Sequence, residues 1–162
     1  AVLLGDTLLR PSGTCLRKLV EIHERTGDAV PAVEEVPEEK VDRYGILEVE
    51  GGKGGEFRVK RIVEKPKREE APSRLAAAGR YILIPEIFDI LATQERGAGG
   101  EIQLTDAMLA MQKAGKPYHA VRFDGTIYDT GTKIGFLLAN VAYGLERQEL
   151  AAALKAGIAK LV

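Results

Sequence analysis

The sequence is short of the residues that staple or cage a fold. Cys15 is its one cysteine, so no disulfide can close within the chain. Its two histidines, His23 and His119, stand far apart, and with a single cysteine they build no Cys/His zinc cluster. An excess of either charge is also missing: 23 Lys and Arg face 24 Asp and Glu, for a net charge of −1 and a pI near 6.2. Nucleic-acid surfaces carry a basic excess, so no nucleic-acid partner is expected. Every apolar run is too short to span a bilayer, and no membrane partner is expected either. An initiator Met and a leading polar segment are lacking too. The chain opens directly on Ala1-Val2-Leu3-Leu4, a run that reads as a buried strand. The expectation is that further sequence precedes it, with the first strands of the sheet and any targeting signal.

What is present is ordinary for a globular protein. The 162 residues are of single-domain size and can bury a core, with 45% hydrophobic and 29% charged residues. Ala1–Leu4 ends at Gly5-Asp6-Thr7, and Pro11-Ser12-Gly13 reads as a turn. Thr14 can cap a helix reaching about Arg25, with Leu16, Leu19, Val20 and His23 on one face and Gly27 as its C-cap. Ala29–Val36 reads as a strand. Tyr44–Val49 and Phe57–Val63 read as a hairpin whose tip is Gly51-Gly52-Lys53-Gly54-Gly55. A strand over Gly79–Leu83 precedes a helix opened by Pro85, and a second helix starts near Thr105 and Asp106 with Met108 and Met111 as core filler. Tyr118–Phe123 is strand-like, with Gly125–Tyr128 able to pair beside it. Lys133–Leu145 and the Ala-rich Leu150–Leu161 are helical. Strands and helices alternate around one inserted hairpin, which predicts one α/β unit with a mixed sheet flanked by helices.

Two glycine clusters invite a phosphate-loop reading. A phosphate loop needs backbone N–H groups converging at a helix N-terminus. Gly51–Gly55 lies between strands, so a hairpin tip is the better reading. Gly97-Ala98-Gly99-Gly100 leads toward a helix, where cradling an anion and a plain loop are equally good readings.

Five stretches recur in a fixed order: Val2-Leu3-Leu4-Gly5-Asp6, Arg43-Tyr44-Gly45-Ile46, Val63-Glu64-Lys65-Pro66-Lys67, Gly99–Ala107 (GGEIQLTDA), and Tyr128-Asp129-Thr130-Gly131-Thr132-Lys133. Together they resemble the sugar-1-phosphate nucleotidylyltransferases, a family with a Rossmann-like mixed sheet. The text between them, including Ala71–Leu75, Gly79-Arg80-Tyr81 and Pro85–Phe88, is most similar to the bacterial glucose-1-phosphate uridylyltransferases. The resemblance covers roughly Ala1 to Leu150. It implies a sugar-phosphate-binding part over residues 1–150 and a tail helix over 151–162. The family's N-terminal signature, a Gly-rich loop followed by Thr-Arg and a later Lys, has no counterpart here, so the first strands are expected to be missing and this chain alone to be inactive.

The resemblance implies uridylyl transfer from UTP to glucose 1-phosphate, giving UDP-glucose and pyrophosphate, by a cytoplasmic homo-oligomer that uses Mg2+. Alternatives are another nucleotide (dTTP, ATP or CTP) and a sugar-phosphate-binding module that does no chemistry. Such a reaction is an in-line attack on phosphorus, helped by positioning and charge neutralisation rather than by a protein nucleophile. Asp6 and Asp129, both at strand ends, are the expected catalytic and Mg2+-ligating pair. Each has a plain alternative: a turn cap for Asp6, an Asx-turn with Gly131 for Asp129. By resemblance Glu64 accepts hydrogen bonds from glucose hydroxyls, and Lys65 binds the sugar phosphate and counts as catalytic. Against that stands a solvated charge run of Lys60, Arg61, Lys67, Arg68, Glu69 and Glu70. Pro66 breaks the ladder after them and can re-aim both side chains. Gly45 fits a close backbone approach to the sugar as well as a strand bend. Tyr81 lines the sugar site or packs the core. Glu101, Thr105 and Asp106 read as loop brace and helix cap, and His23 as structural.

Overall fold

The computed structural model describes residues 1–11 and 14–161. Its strands are β1 (Val2–Leu3), β2 (Thr7–Arg10), β3 (Val30–Glu35), β4 (Gly45–Gly51), β5 (Glu56–Glu64), β6 (Leu75–Ile82), β7 (His119–Arg122) and β8 (Thr126–Asp129). Its α-helices are α1 (Thr14–Thr26), α2 (Ile87–Thr93), α3 (Leu104–Lys113), α4 (Lys133–Glu146) and α5 (Gln148–Ile158). The chain divides into two compact units, where the sequence pattern predicts one: Ala1–Leu3 with Gly13–Asp124, and Leu4–Ser12 with Gly125–Val162.

The first unit holds a six-stranded sheet in the order β1-β6-β3-β7-β5-β4, in which β3 and β7 run parallel and the other neighbours antiparallel. A mixed α/β sheet is what the alternating pattern predicts. The hairpin of β4 and β5 forms as expected, its glycine tip tightening into one 3-10 turn at Lys53–Gly55. Core residues come from both layers: Val33, Leu47, Ile62 and Tyr118 from or beside the strands, Ile87, Met108 and Met111 from the helices. Burying such side chains contributes about 1.5–3 kcal/mol each relative to exposure.

Several local expectations shift. Helix α1 buries Cys15, Leu19 and Ile22, an i, i+4, i+7 stripe, so its inward face is rotated away from Leu16 and Val20. Thr14 is its first residue rather than its cap, and the turn read at Pro11-Ser12-Gly13 falls largely on Ser12 and Gly13, outside the described residues. Gly27 ends the helix as expected, at φ 75° with its N–H on the His23 carbonyl at 2.7 Å. Strand β6 begins four residues earlier than its glycine suggests, because Leu75, Ala76 and Ala77 pair with β3, and Ala76 also with β4. The opening run is short and not buried: Leu3 is 51% and Leu4 41% exposed.

The second unit is smaller. Strand β8 pairs with β2, not with Tyr118–Phe123, in the antiparallel register Thr7↔Asp129 to Arg10↔Thr126. The Tyr143 hydroxyl donates to the Leu9 carbonyl at 2.9 Å, and the rings of Tyr128 and Tyr143 meet at 6.2 Å, tying α4 to that ribbon. Helix α4 carries Ile134, Phe136, Leu137 and Leu138 at 53–63% exposure. The tail helix α5 starts at Gln148 and ends at Ile158, earlier at both ends than expected.

Candidate functional site

The residues expected to act fall into two groups, one in each unit. In the second unit, Asp6 sits in the turn leading into β2. Its carbonyl accepts the Thr130 N–H at 2.7 Å and the Thr130 hydroxyl at 2.9 Å. The ribbon register places Thr7 opposite Asp129, so residues far apart in sequence become neighbours. Asp129 closes an Asx-turn in which Oδ1 accepts the Gly131 N–H at 3.0 Å. Its carbonyl accepts the Thr132 hydroxyl at 2.9 Å, and that hydroxyl oxygen caps α4 by accepting from the Gly135 N–H at 3.1 Å.

Gly131 shows how close the two carboxylates are. A Cβ there would lie 3.1 Å from Asp129 Oδ1 and 3.5 Å from Asp6 Oδ2. Both side chains therefore border one small volume, which the absence of a side chain keeps open. The Asx-turn expected as the plain alternative for Asp129 is real, but it coexists with this approach. No cluster of three or more His, Cys, Asp or Glu suited to a metal occurs among the described residues. Two carboxylates without softer ligands fit a hard divalent cation that completes its shell with phosphate oxygens and water.

In the first unit, Gly45 and Glu64 face each other across β4 and β5. Lys65 then leaves the strand in a left-handed conformation, φ 43°, with its N–H on the Tyr44 carbonyl at 3.0 Å. That conformation costs a residue with a side chain about 1–2 kcal/mol. It also has a use. Successive side chains of a straight strand point to opposite faces, but the turn brings Lys65 Nζ back to 3.5 Å from Glu64 Oε1. The Glu64 side chain is 10% exposed and that of Lys65 42%. The rest of the charge run is ordinary surface: Lys60 pairs with Glu50 at 3.4 Å and Lys67 with Glu70 at 3.6 Å, all more than half exposed.

Thr105 joins this group, although its sequence setting suggests a helix cap. A Cβ on Gly45 would fall 3.0 Å from Thr105 Cγ2, 3.1 Å from Thr105 Oγ1 and 3.2 Å from Glu64 Oε2. Helix α3 instead starts at Leu104 with Gln103 at the cap position and no side-chain cap bond. The only sequence signal for Thr105 is its place in the Gly99–Ala107 stretch. Asp106 folds over Gly97, where a Cβ would run into its Oδ2, and Glu101 braces the loop through its carbonyl, which accepts the Gly97 N–H at 2.8 Å. Tyr81 is 6% exposed and belongs to the core cluster, because β6 lies between β1 and β3 with its inner face under the helices. Of its two expected places, it takes the core. His23 is structural, its Nδ1 at 2.7 Å from the Asp28 carbonyl.

Elsewhere the titrations shift for plain reasons. Burial raises the Cys15 thiol and the Tyr118 hydroxyl. The hydrogen bond from Lys116 lowers the Glu86 carboxyl.

The family model described as Nucleotidyl transferase matches residues 1–145. A UTP–glucose-1-phosphate uridylyltransferase of Staphylococcus epidermidis is 45% identical over 161 residues, 99% of this chain and 56% of its own length. One from Staphylococcus haemolyticus is 48% identical over 146 residues, 90% of this chain and 50% of its own. Among solved structures, the UDP-glucose pyrophosphorylase from Acinetobacter baumannii is similar at a TM-score of 0.82 and 36% identity, over 99% of this chain and 55% of that one. A UDP-glucose pyrophosphorylase complexed with UDP-glucose gives 0.81 at 37% identity, over 90% of this chain and 56% of that one. The chain spans about half the length of the curated relatives it matches.

Proposed function

Since the chain belongs to the nucleotidyl transferase family, we propose that it serves the transfer of a uridylyl group from UTP to glucose 1-phosphate, giving UDP-glucose and pyrophosphate. The observation that carries the reading is the approach of Asp6 and Asp129 to one volume beside Gly131, with 3.1 Å and 3.5 Å to a Cβ placed there. Those two carboxylates would hold Mg2+, and the bound ion would neutralise and orient phosphate oxygens. The relatives that support the substrates are uridylyltransferases by name, and one solved relative is complexed with UDP-glucose.

Each remaining residue has a task within its own unit. Glu64, an acceptor-only group, takes hydrogen bonds from vicinal hydroxyls of glucose. Lys65 presents its ammonium to the sugar phosphate as a mobile point charge, and in the reaction it offsets charge on the attacking phosphate. No side chain is asked to bond covalently to phosphorus: one phosphate oxygen of glucose 1-phosphate forms the new bond to the α-phosphorus as the bond to pyrophosphate breaks. Tyr81 contributes through the core. A homo-oligomeric, cytoplasmic enzyme belongs to the same proposal. Among the described residues no helix is long and apolar enough to cross a membrane.

The test is to assay the protein over its full reading frame against UTP, dTTP, ATP and CTP with glucose 1-phosphate. Pyrophosphate release with UTP at least tenfold faster than with the others is the expected outcome. Preference for another triphosphate would keep the reaction and change the nucleotide. The second reading is a sugar-phosphate-binding module that does no chemistry. A full reading frame that binds glucose 1-phosphate and releases no pyrophosphate with any triphosphate would establish that reading instead.

A further inference from the structure

Gly45, Thr105 and Glu64 come from three elements, β4, the start of α3 and the end of β5, yet their atoms converge on the point where a Gly45 Cβ would stand. Three protein atoms already occupy its surroundings, at 3.0, 3.1 and 3.2 Å. Real Cβ atoms rarely tolerate neighbours so close, and two of the three belong to one rotamer-restricted Thr. The missing side chain therefore makes room for protein, and what fills the room is the Glu64 carboxylate with Thr105 beside it.

We infer that Gly45 and Thr105 are positioning residues for the Glu64 carboxylate. This rests on the proposed sugar-binding role of Glu64. The carboxylate is held at both oxygens: Oε1 lies 3.5 Å from Lys65 Nζ, and Oε2 lies against Gly45 beside Thr105. With the Glu64 side chain only 10% exposed, its oxygens have little room to swing. A methyl on Gly45 displaces Oε2 unless Thr105 gives way. Selection among sugars would then depend on the packing around the acceptor, since a shift of a few tenths of an ångström in a fixed acceptor alters which hydroxyl geometry it accepts.

The test is a double-mutant cycle of Gly45→Ala and Thr105→Ala, with two readouts on the protein over its full reading frame, well below its unfolding temperature. One is the carboxyl carbon resonance of Glu64, which needs no ligand. The other is glucose 1-phosphate affinity by calorimetry. Gly45→Ala is expected to move the Glu64 resonance and to weaken binding about tenfold, the scale of one misplaced hydrogen bond to a charged group. In the Thr105→Ala background the new methyl leans into the vacated space, and Gly45→Ala should then change affinity by less than about twofold. A merely structural role would lower stability without moving the Glu64 signal. An unmoved resonance overturns the inference. So does a tenfold loss that persists in the Thr105→Ala background, because the effect of Gly45 would then not run through its crowding with Thr105. If the unmodified full-length protein binds no glucose 1-phosphate, the sugar reading of Glu64 fails, while the resonance still decides the positioning claim.

Discussion

Lys65 turns its ammonium back to 3.5 Å from Oε1 of Glu64, its own neighbour in the chain. The left-handed backbone at Lys65 is what allows it. Two residues that a straight strand would send to opposite faces thus act on the same side. Lys65→Ala in the full-length protein should raise the Michaelis constant for glucose 1-phosphate roughly ten- to a hundredfold, and that for UTP far less. Lys60→Ala and Lys67→Ala are controls, since each breaks an exposed surface pair and should change kinetics by no more than about twofold. Steady-state kinetics decide it, and equal effects from all three lysines would reduce Lys65 to part of a diffuse basic patch.

The carboxylate pair can be separated from its capping work. Asp129→Asn still offers an oxygen to the Gly131 N–H, so the Asx-turn survives while the charge goes. Asp129→Ala loses both. With Mn2+ as a paramagnetic probe, Asp6→Asn and Asp129→Asn should each weaken ion binding by at least about tenfold, leaving the melting temperature nearly unchanged. Only Asp129→Ala should also melt earlier, by a loss of about 1 kcal/mol. Unchanged Mn2+ relaxation in both Asn variants would leave the aspartates as turn residues.

The buried Tyr118 predicts an alkaline limit to stability. Burial raises its hydroxyl above the ordinary value of 10.0. A group raised on folding contributes stability that is complete below its unfolded value and is lost as pH climbs toward the folded one. Denaturant midpoints should therefore fall as pH rises above about 10, where the unfolded chain releases the proton first. Tyr118→Phe gives up only a hydroxyl contact to Met111 Sδ at 3.5 Å and should flatten that limb. An identical alkaline slope in the Phe variant would place the cause elsewhere, with the raised Cys15 thiol the next candidate.

Exposed apolar side chains predict association. Leu3, Leu4 and the α4 residues Ile134, Phe136, Leu137 and Leu138 are all 41–63% exposed. Clusters of this kind are seldom left bare in a monomer. Light scattering on the 162-residue chain should show mass growing with concentration, and Leu137→Lys with Leu138→Lys should reduce it. A monodisperse monomer at all concentrations would contradict this.

Much of the fold was legible because local chemistry agreed with it. Gly27 ends α1, the glycine run makes the hairpin tip, and Pro85 precedes α2. The misreadings share one cause, partners distant in sequence. Nothing near Gly125–Tyr128 says that its neighbour is Thr7–Arg10 rather than the preceding strand. Likewise Thr105 looks like a cap until α3 brings it over Gly45. Tyr81 could be placed on either side of a strand, and only the sheet order decides for the core. Asp6, Asp129, Glu64 and Lys65 were legible as motif residues; their closeness in pairs was not, except where they adjoin in the chain.

The ribbon of β2 and β8 has a consequence for the order of events during synthesis. The group that anchors the Asp6 carbonyl, Thr130, is made 124 positions after it. The whole of the first unit must be polymerised before the two aspartates can meet, and closing so wide a loop is slow compared with forming a hairpin or a helix. A ribosome-bound nascent chain stalled before Thr130 would thus carry a sheet in the making with Asp6 still apart from Asp129, and the ribbon would close only once Thr126–Asp129 has emerged.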